Sequence, residues 1–410
     1  MPDVDELLAA EGGTPIRREP FGPPWDLGDE EVALLTEVIR TGVLVDRRLS
    51  WVERLERALA ETMGVRHVLA CTSGTAACHL AVAMLDLEPL DELISAPIGD
   101  VATTAGAVLQ HVIPVFADIT GETMTLDPNR IEDAITLRTR ALMPVHFVGQ
   151  PADMDPILDI ARRHGLRVIE DCCQAMLSSY RGRLVGTMGD VGAFSLSNKL
   201  MVMGQGGFVT TNDDRMAERG RLFRDVARRG VAPALWVGTA YLMTDLQAAV
   251  GLAQLEKAEG YRQRQIAAAD ALRGQLDAIP GLRVLGNDPR SEPNRLFLAI
   301  AADGPADAER TARIGRAVTA EGVPVIFPYD EPIYRHPLYA DRRTFGTSGY
   351  PFVARAGGPM DYRSVSCPVT EDTLARTMFL RMNQSFTPRD LEDITAAFAK
   401  VMRALGAATG

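Results

Sequence analysis

Cysteine is scarce in this chain: five among 410 residues, at positions 71, 78, 172, 173 and 367, with no CxxC pair. An odd, scattered set points away from a disulfide framework or a zinc site and predicts reduced thiols in a cytoplasmic protein. Long apolar runs are missing too. No stretch approaches the ~18 uninterrupted apolar residues of a membrane helix, so no membrane span is expected. Basic segments are equally absent. With 43 Lys and Arg against 54 Asp and Glu, the net charge of −11 argues against a nucleic-acid-binding surface. The opening "MPDVDELLAAEGGTPIRREP" is acidic at its front and has no apolar core, so it reads as neither signal nor transit peptide. There are no internal repeats and no low-complexity tail. What remains, 46% apolar and 24% charged residues, is ordinary for a soluble globular protein long enough for a large core and two domains.

Residues 1–28 are rich in Pro, Gly and charge and read as an irregular arm. Helices are predicted over 29–42, with an acidic first turn and a Gly stop, and over 50–64, from a Ser cap to a Gly. Strand and helix patterns then alternate: "HVLACTSG" into "TAACHLAVAML", "ELISAP" into "TTAGAVLQHV", "IPVFADI", "TRALMPVHF" into "DMDPILDIARRHG", and "LRVIEDC". Such alternation indicates an α/β fold with a mainly parallel central sheet flanked by helices. After residue 244 one long helical tract begins, with Gly251 and Gly260 as weak points. Beyond it, "NRLFLAIAAD", a helix over 306–321 and "VPVIFPYD" suggest a smaller C-terminal α+β domain. It closes on a helix capped by Thr387, with Asp390 at the capping-box position. The expected division is an arm (1–28), a large domain (29–260) and a small domain (261–410).

Three stretches lie at the C-terminal ends of predicted strands, where open α/β sheets bind ligands. Thr72-Ser73-Gly74-Thr75-Ala76 is either a phosphate cup or a simple helix cap, since both need small residues and free N–H groups. Glu170-Asp171-Cys172-Cys173-Gln174 puts carboxylates after an apolar strand, as ligands or as another cap. Lys199 stands before the apolar Leu200-Met201-Val202-Met203 and the turn Gly204-Gln205-Gly206-Gly207. It either snorkels or is a desolvated nucleophile able to form a Schiff base. Taken in order, the three are the parts that a pyridoxal phosphate enzyme needs: a phosphate cup, a carboxylate for the pyridine nitrogen and a lysine for the aldehyde carbon.

Longer stretches carry a family likeness. "VIEDCCQAMLSSYRGRLVGTMGDVGAFSLSNK", "GQGGFVTTND" and "LMTDLQAAVGLAQLEK", with "GVRHVLACTSGTAACHLAV", "IPVFADITGETMTLDP" and "HFVGQPADMDPI", resemble the DegT/DnrJ/StrS family of sugar and cyclitol aminotransferases. The likeness runs from about residue 12 to the C-terminus and is dense between 50 and 260. It implies the fold-type I architecture and pyridoxal 5′-phosphate as cofactor. By the same resemblance Lys199 is the cofactor lysine and proton shuttle, and Asp171 pairs with the pyridine nitrogen. Gln174 sits near the ring and its phenolic oxygen, and Gly74, Thr75 and a serine before the lysine hold the phosphate. The implied reaction moves an amino group from L-glutamate or L-glutamine to a keto-sugar or keto-cyclitol. "GGTPIR" resembles the branch that serves antibiotic pathways. A homodimer with active sites near the subunit interface is implied as well.

Departures from the family pattern are also visible. Relatives place the phosphate serine five positions before the lysine, whereas here Ser195 is four before and Ser197 two before; Ser195 is favoured. Asp100 and Val101 stand where many relatives carry a ring-stacking aromatic residue, so a flatter apolar contact is expected. Ala240 replaces an asparagine that reaches the partner's phosphate. Two alternatives stay open. One is a dehydratase-like enzyme, against which Lys199 argues because those relatives carry histidine there; the other is a cofactor-binding regulatory or scaffold protein with reduced turnover. Arg221, Arg224 and Arg228 are read as one helix face, either solvated or meeting an anionic substrate. His146 and His164 are expected to be structural or solvated, and Cys172-Cys173 to pack beneath the cofactor.

Overall fold

Four apolar segments of the main sheet are buried on both faces. Val68–Cys71, Leu93–Ile94, Ala141–Met143 and Val168–Ile169 are each at most 4% exposed, the near-continuous apolar pattern of parallel strands covered by helices. The computed structural model describes residues 7–42, 44 and 50–407. Its seven main-sheet strands are β1 (His67–Cys71), β2 (Glu92–Ser95), β3 (Ile113–Phe116), β4 (Thr139–Met143), β5 (Arg167–Asp171), β6 (Val191–Ser195) and β7 (Gly207–Thr211). Their order across the sheet is β1-β7-β6-β5-β4-β2-β3. All run parallel except β7, which is antiparallel to both its neighbours.

The predicted caps operate. Helix α1 (Asp29–Thr41) stops at Gly42, and α2 (Trp51–Met63) starts where Ser50 Oγ accepts the Glu53 N–H at 3.2 Å. The α2 residues Leu55, Leu59 and Met63 form a buried stripe four residues apart. Helix α3 (Gly74–Met84) is buried at all but one of its residues. Its alanines allow close packing against the sheet and against the helices α4 (Ala102–Leu109) and α6 (Asp214–Phe223), while α5 (Met154–His164) packs on β5.

Helix α7 (Asp245–Asp277) is unbroken for 33 residues, from a capping box in which Thr244 and Gln247 exchange hydrogen bonds. Its first half packs Ala248, Ala249, Ala258 and Tyr261 into the main core. Its second half gives Ala269, Leu272 and Leu276 to a separate core. Residue 260, the expected domain boundary, lies inside this helix. The second core covers a four-stranded antiparallel sheet: β8 (Leu282–Val284), β9 (Phe297–Ala302), β10 (Val325–Ile326) and β11 (Thr377–Arg381), in the order β8-β9-β11-β10. Helices α8 (Ala308–Ala320) and α9 (Pro388–Ala407) complete it. Thr387 and Asp390 form the predicted capping box, with Asp390 Oδ2 accepting the Thr387 N–H at 2.7 Å. The described part of the arm is irregular apart from one turn at Ala9–Glu11. It docks through Arg17, whose guanidinium meets Asp390 at 2.7 Å and Asp393 at 2.8 Å.

Candidate active site

Strand register builds the site. Cys71, the last residue of β1, pairs with Gly207, and Gly207 pairs with Ser195, the last residue of β6. Asp171, the last residue of β5, pairs with Ala193. Three parallel strands therefore end along one edge of the sheet, where open α/β sheets leave a crevice. A cleft of about 190 Å³ opens there, lined by Ser73, Gly74, Thr75, Asp171, Gln174, Ser195, Ser197 and Lys199 among others. All six residues singled out from the sequence thus meet in one place.

The turn after β1 explains its small residues. Ser73 Oγ accepts the Ala76 N–H at 3.1 Å and caps α3, which leaves the first amides of the helix facing the cleft. A Cβ on Gly74 would lie 2.6 Å from Ser195 Cβ, and one on Gly207 would lie 2.4 Å from Ser73 O. Both glycines are needed for close approach. Ser195 and Ser197 both reach the cleft, Ser195 directly against Gly74.

Alternation along β5 separates two adjacent carboxylates. Asp171 faces the cleft, 3% exposed, where its Oδ2 accepts from Thr103 Oγ1 at 2.6 Å and its Oδ1 from the Cys173 N–H at 3.0 Å. No Lys, Arg or His among the described residues pairs with it. Glu170 faces the other way. It accepts the N–H groups of Gly186, Met188 and Gly189 at 2.8, 2.7 and 2.7 Å, and His146 Nε2 lies 3.1 Å away. Ala152 N–H donates to His146 Nδ1 at 3.0 Å, so the ring proton sits on Nε2 and points at Glu170. Burial alone would raise the Glu170 carboxyl. The hydrogen bonds from His146, Gly189 and Gly186 outweigh it and hold the group below the usual carboxylate range. His146 is therefore structural, and exposed His164 pairs with Glu132 at 2.8 Å.

Lys199 is aimed by its neighbours. Leu200, Met201, Val202 and Met203 are 2%, 1%, 6% and 5% exposed, which anchors the loop in the core. Each such side chain contributes roughly 1.5–3 kcal/mol on burial. Gln254 Oε1 accepts the Val202 N–H at 3.2 Å, while its Nε2 reaches Asp26 O and Glu31, tying the loop to the arm and α1. Half-buried Lys199 faces the cleft, and its Nζ makes no hydrogen bond or ion pair among the described residues.

Gln174 Oε1 accepts the Val148 N–H at 2.8 Å and its Nε2 donates to Tyr329 OH at 2.7 Å. Burial, with Asp100 nearby, pushes the Tyr329 hydroxyl well above its ordinary value and keeps it protonated. Sequence reasoning missed Tyr329, Thr103 and Cys78, which all sit at or beside the cleft. The one available signal was the polar pair Thr103-Thr104 in the first turn of an otherwise apolar helix. Asp100 stands exposed on the cleft lining, its Oδ1 accepting the Ala102 N–H at 2.9 Å. The apolar lining comes from Cys78, Ala102, Val145 and Cys173, with no aromatic ring among the described lining residues.

Two expectations need correction. Cys172 and Cys173 do not both lie at the cofactor cleft: Cys172 is buried in the core, and Cys173 alone lines the cleft. Arg221, Arg224 and Arg228 do not share a helix face, because α6 ends at Phe223. Arg224 turns inward to Glu56 at 2.6 Å, Arg221 lies 3.2 Å from His67 Nδ1, and none of the three lines the cleft.

The model of the DegT/DnrJ/EryC1/StrS aminotransferase family matches residues 26–399. The chain belongs to this family. It is 33% identical over 422 residues to L-glutamine:2-deoxy-scyllo-inosose aminotransferase of Streptomyces fradiae, covering 97% of each chain. Over 214 residues it is 44% identical to GDP-perosamine synthase of Caulobacter vibrioides, covering 51% of this chain and 57% of the relative. Among solved structures it resembles DesV of S. venezuelae, with a TM-score of 0.82 and 28% identity over 93% of this chain and 98% of that one. It is an aminotransferase of the fold-type I class, and its cofactor is pyridoxal 5′-phosphate. The cleft fits that group. Gly74 leaves room beside Ser195 at a helix N-terminus, where a phosphate would fit, and the buried Asp171 carboxyl has no Lys, Arg or His partner among the described residues and would suit a ring nitrogen.

Proposed function

We propose that this aminotransferase takes its amino group from L-glutamine or L-glutamate and delivers it to a keto-cyclitol or keto-sugar in specialised-metabolite biosynthesis. The supporting observation is full-length similarity to a glutamine-dependent cyclitol aminotransferase, joined to a cleft that brings Lys199, Asp171 and the Ser73–Thr75 turn together. When bound, the cofactor supplies an aldehyde that bonds amines and a ring that accepts electrons. In this reading Gly74 and Thr75 amides and Ser195 Oγ hold its phosphate, Asp171 holds the charge on its ring nitrogen, and Gln174, braced by Tyr329, orients the ring. Thr103 fixes the Asp171 carboxylate. Lys199 Nζ takes a proton from the donor's α-carbon and later returns one to the acceptor carbon, a role that its lack of a partner leaves open to it. The donor leaves as a keto acid before the acceptor enters, which is a ping-pong order.

The division into arm, large domain (29–260) and small domain (261–410) belongs to the same proposal, supported by the separate seven-stranded and four-stranded sheets, although a small third sheet pairs Ser291–Glu292 with Ser179–Tyr180 across it. So does a cytoplasmic homodimer. Val231, Leu235, Trp236 and Val237 form an exposed apolar run in the segment whose Tyr241 O accepts the Thr72 N–H at 3.1 Å, next to the phosphate turn. A partner seated on this run would border the cleft. The decisive experiment is borohydride reduction of the purified enzyme with peptide mapping, followed by spectral titration with single amino acids. The label is expected on Lys199, and glutamine or glutamate should discharge the cofactor absorbance without any acceptor. Asp171→Asn should keep the label and slow the discharge by about 100-fold or more. A label on another lysine, or no discharge by any amino acid, refutes the reading.

A further inference from the structure

Two thiols that are 95 residues apart in the chain meet in the cleft, Cys78 Sγ lying 3.8 Å from Cys173 Sγ. Cys78 comes from α3 and Cys173 from the turn after β5, and both line the cavity. An Asp171 oxygen completes a set whose ligand atoms all lie within 4.8 Å of one another. Two sulfurs at ~2.3 Å from a tetrahedral zinc ion lie about 3.8 Å apart, so the pair already has the spacing of a thiolate edge. A disulfide needs its sulfurs at about 2.05 Å, much closer than they stand. Each Asp171 oxygen accepts one hydrogen bond and keeps a lone pair.

A second cluster shows what a closed set looks like. His146, Glu170 and Cys172 are also grouped closely enough for a metal, but both His146 nitrogens and the Glu170 oxygens are committed to hydrogen bonds deep in the core. Only the cleft cluster has an open side, through which a water could complete four-coordination.

We propose that the cofactor-free chain binds one thiophilic divalent cation, Zn²⁺ in the first instance, through Cys78 Sγ, Cys173 Sγ and Asp171, and that this metal and the cofactor exclude each other. Each thiol releases its proton to solvent as its sulfur ligates. Exclusion follows because the metal uses the same carboxylate that faces the ring nitrogen. It rests on the cofactor reading of the cleft but not on any donor or acceptor. The spacing of the two cysteines in the sequence carries no metal motif; the fold creates the pair.

Full-length protein is stripped of cofactor with hydroxylamine, dialysed against chelator and titrated with Co²⁺. The expected result is one Co²⁺ per chain with a sulfur-to-cobalt charge-transfer band, displaced by Zn²⁺. That band should vanish in Cys78→Ala and in Cys173→Ala and persist in Cys367→Ala, which removes a thiol outside the cleft. Saturating Zn²⁺ should also lower cofactor loading at least about tenfold, with pyridoxal phosphate in excess over metal and chelator restoring uptake. No band in the unaltered chain, or a band surviving both cleft variants, overturns the site. Cofactor loading indifferent to bound zinc overturns the exclusion. Loading of the metal-free chain, read in parallel, separates these failures from a failure of the cofactor assignment itself.

Discussion

Gly74→Ala is the sharpest test of the phosphate turn, because a single methyl group decides it. The added Cβ would stand 2.6 Å from Ser195 Cβ and 2.8 Å from Ser195 Oγ, well inside ordinary contact. Gly74 has no left-handed φ, so alanine meets no backbone strain there. Two effects oppose each other. Alanine favours the helix over glycine by about 1 kcal/mol or less, while overpacking costs typically 1–3 kcal/mol. The helix gain is the same with and without cofactor and cancels from affinity. In the proposed binding mode overpacking does not cancel, since a free Ser195 can draw back whereas a phosphate held between serine and helix amides would require them to converge. A loss of 1–3 kcal/mol corresponds to about 5- to 150-fold weaker cofactor binding.

Stripped full-length protein titrated with pyridoxal phosphate, followed by absorbance, measures this. Gly274→Ala is the matched control. Gly274 lies exposed in α7 with nothing within 4 Å of its added Cβ, so that variant should gain slight stability and bind cofactor as the parent does. Gly74→Ala binding within about twofold of the parent, with circular dichroism unchanged, would refute the convergence argument.

Two further outcomes are expected. A carboxyl held below its ordinary range in the folded state stabilises fully above its unfolded value, ~4.3 for Glu, and that stability fades as pH falls through the folded value. Glu170→Gln should therefore lose about 1.5–3 kcal/mol at neutral pH, the range for hydrogen bonds to a charged group, and show a flatter acid limb below about pH 4; urea midpoints across pH check it, and identical acid limbs contradict it. Light scattering at micromolar concentration should give a dimer, and a fully active monomer would remove the proposed interface.

Local signals explain what the sequence disclosed. Ser50 and Gly64, Gly42, and Thr387 with Asp390 mark helix ends through contacts within a few residues, and those ends stand where expected. The three ligand stretches were visible because strand-end turns need small or acidic residues whatever the rest of the chain does. Projection beyond a local signal failed at Arg221, Arg224 and Arg228. A helical period was extended past Phe223, where the chain leaves the helix and Arg224 is drawn to Glu56 and Ala70 O instead. Adjacency in sequence likewise misleads at Cys172 and Cys173, because neighbouring residues leaving a strand point opposite ways and only Cys173 reaches the cleft.

Thr103, Tyr329 and Cys78 were hidden for a different reason. Each joins the site through a contact spanning tens to hundreds of residues: Thr103 to Asp171, Tyr329 to Gln174 and Cys78 to Cys173. Apart from the polar first turn of α4 that holds Thr103, nothing in their own surroundings sets them apart from core-facing residues. What makes them neighbours is the position of β7. Because that one antiparallel strand sits between β1 and β6, Gly207 lies in register with both Cys71 and Ser195. The phosphate turn and the lysine loop are thereby held one strand apart on either side of a residue with no side chain. A larger residue at 207 would collide with the backbone of both, at 2.4 Å from Ser73 O and 2.6 Å from Phe194 O. The site's geometry is thus a property of sheet order and register, and the individual motifs carry chemistry only because that register brings them to one edge.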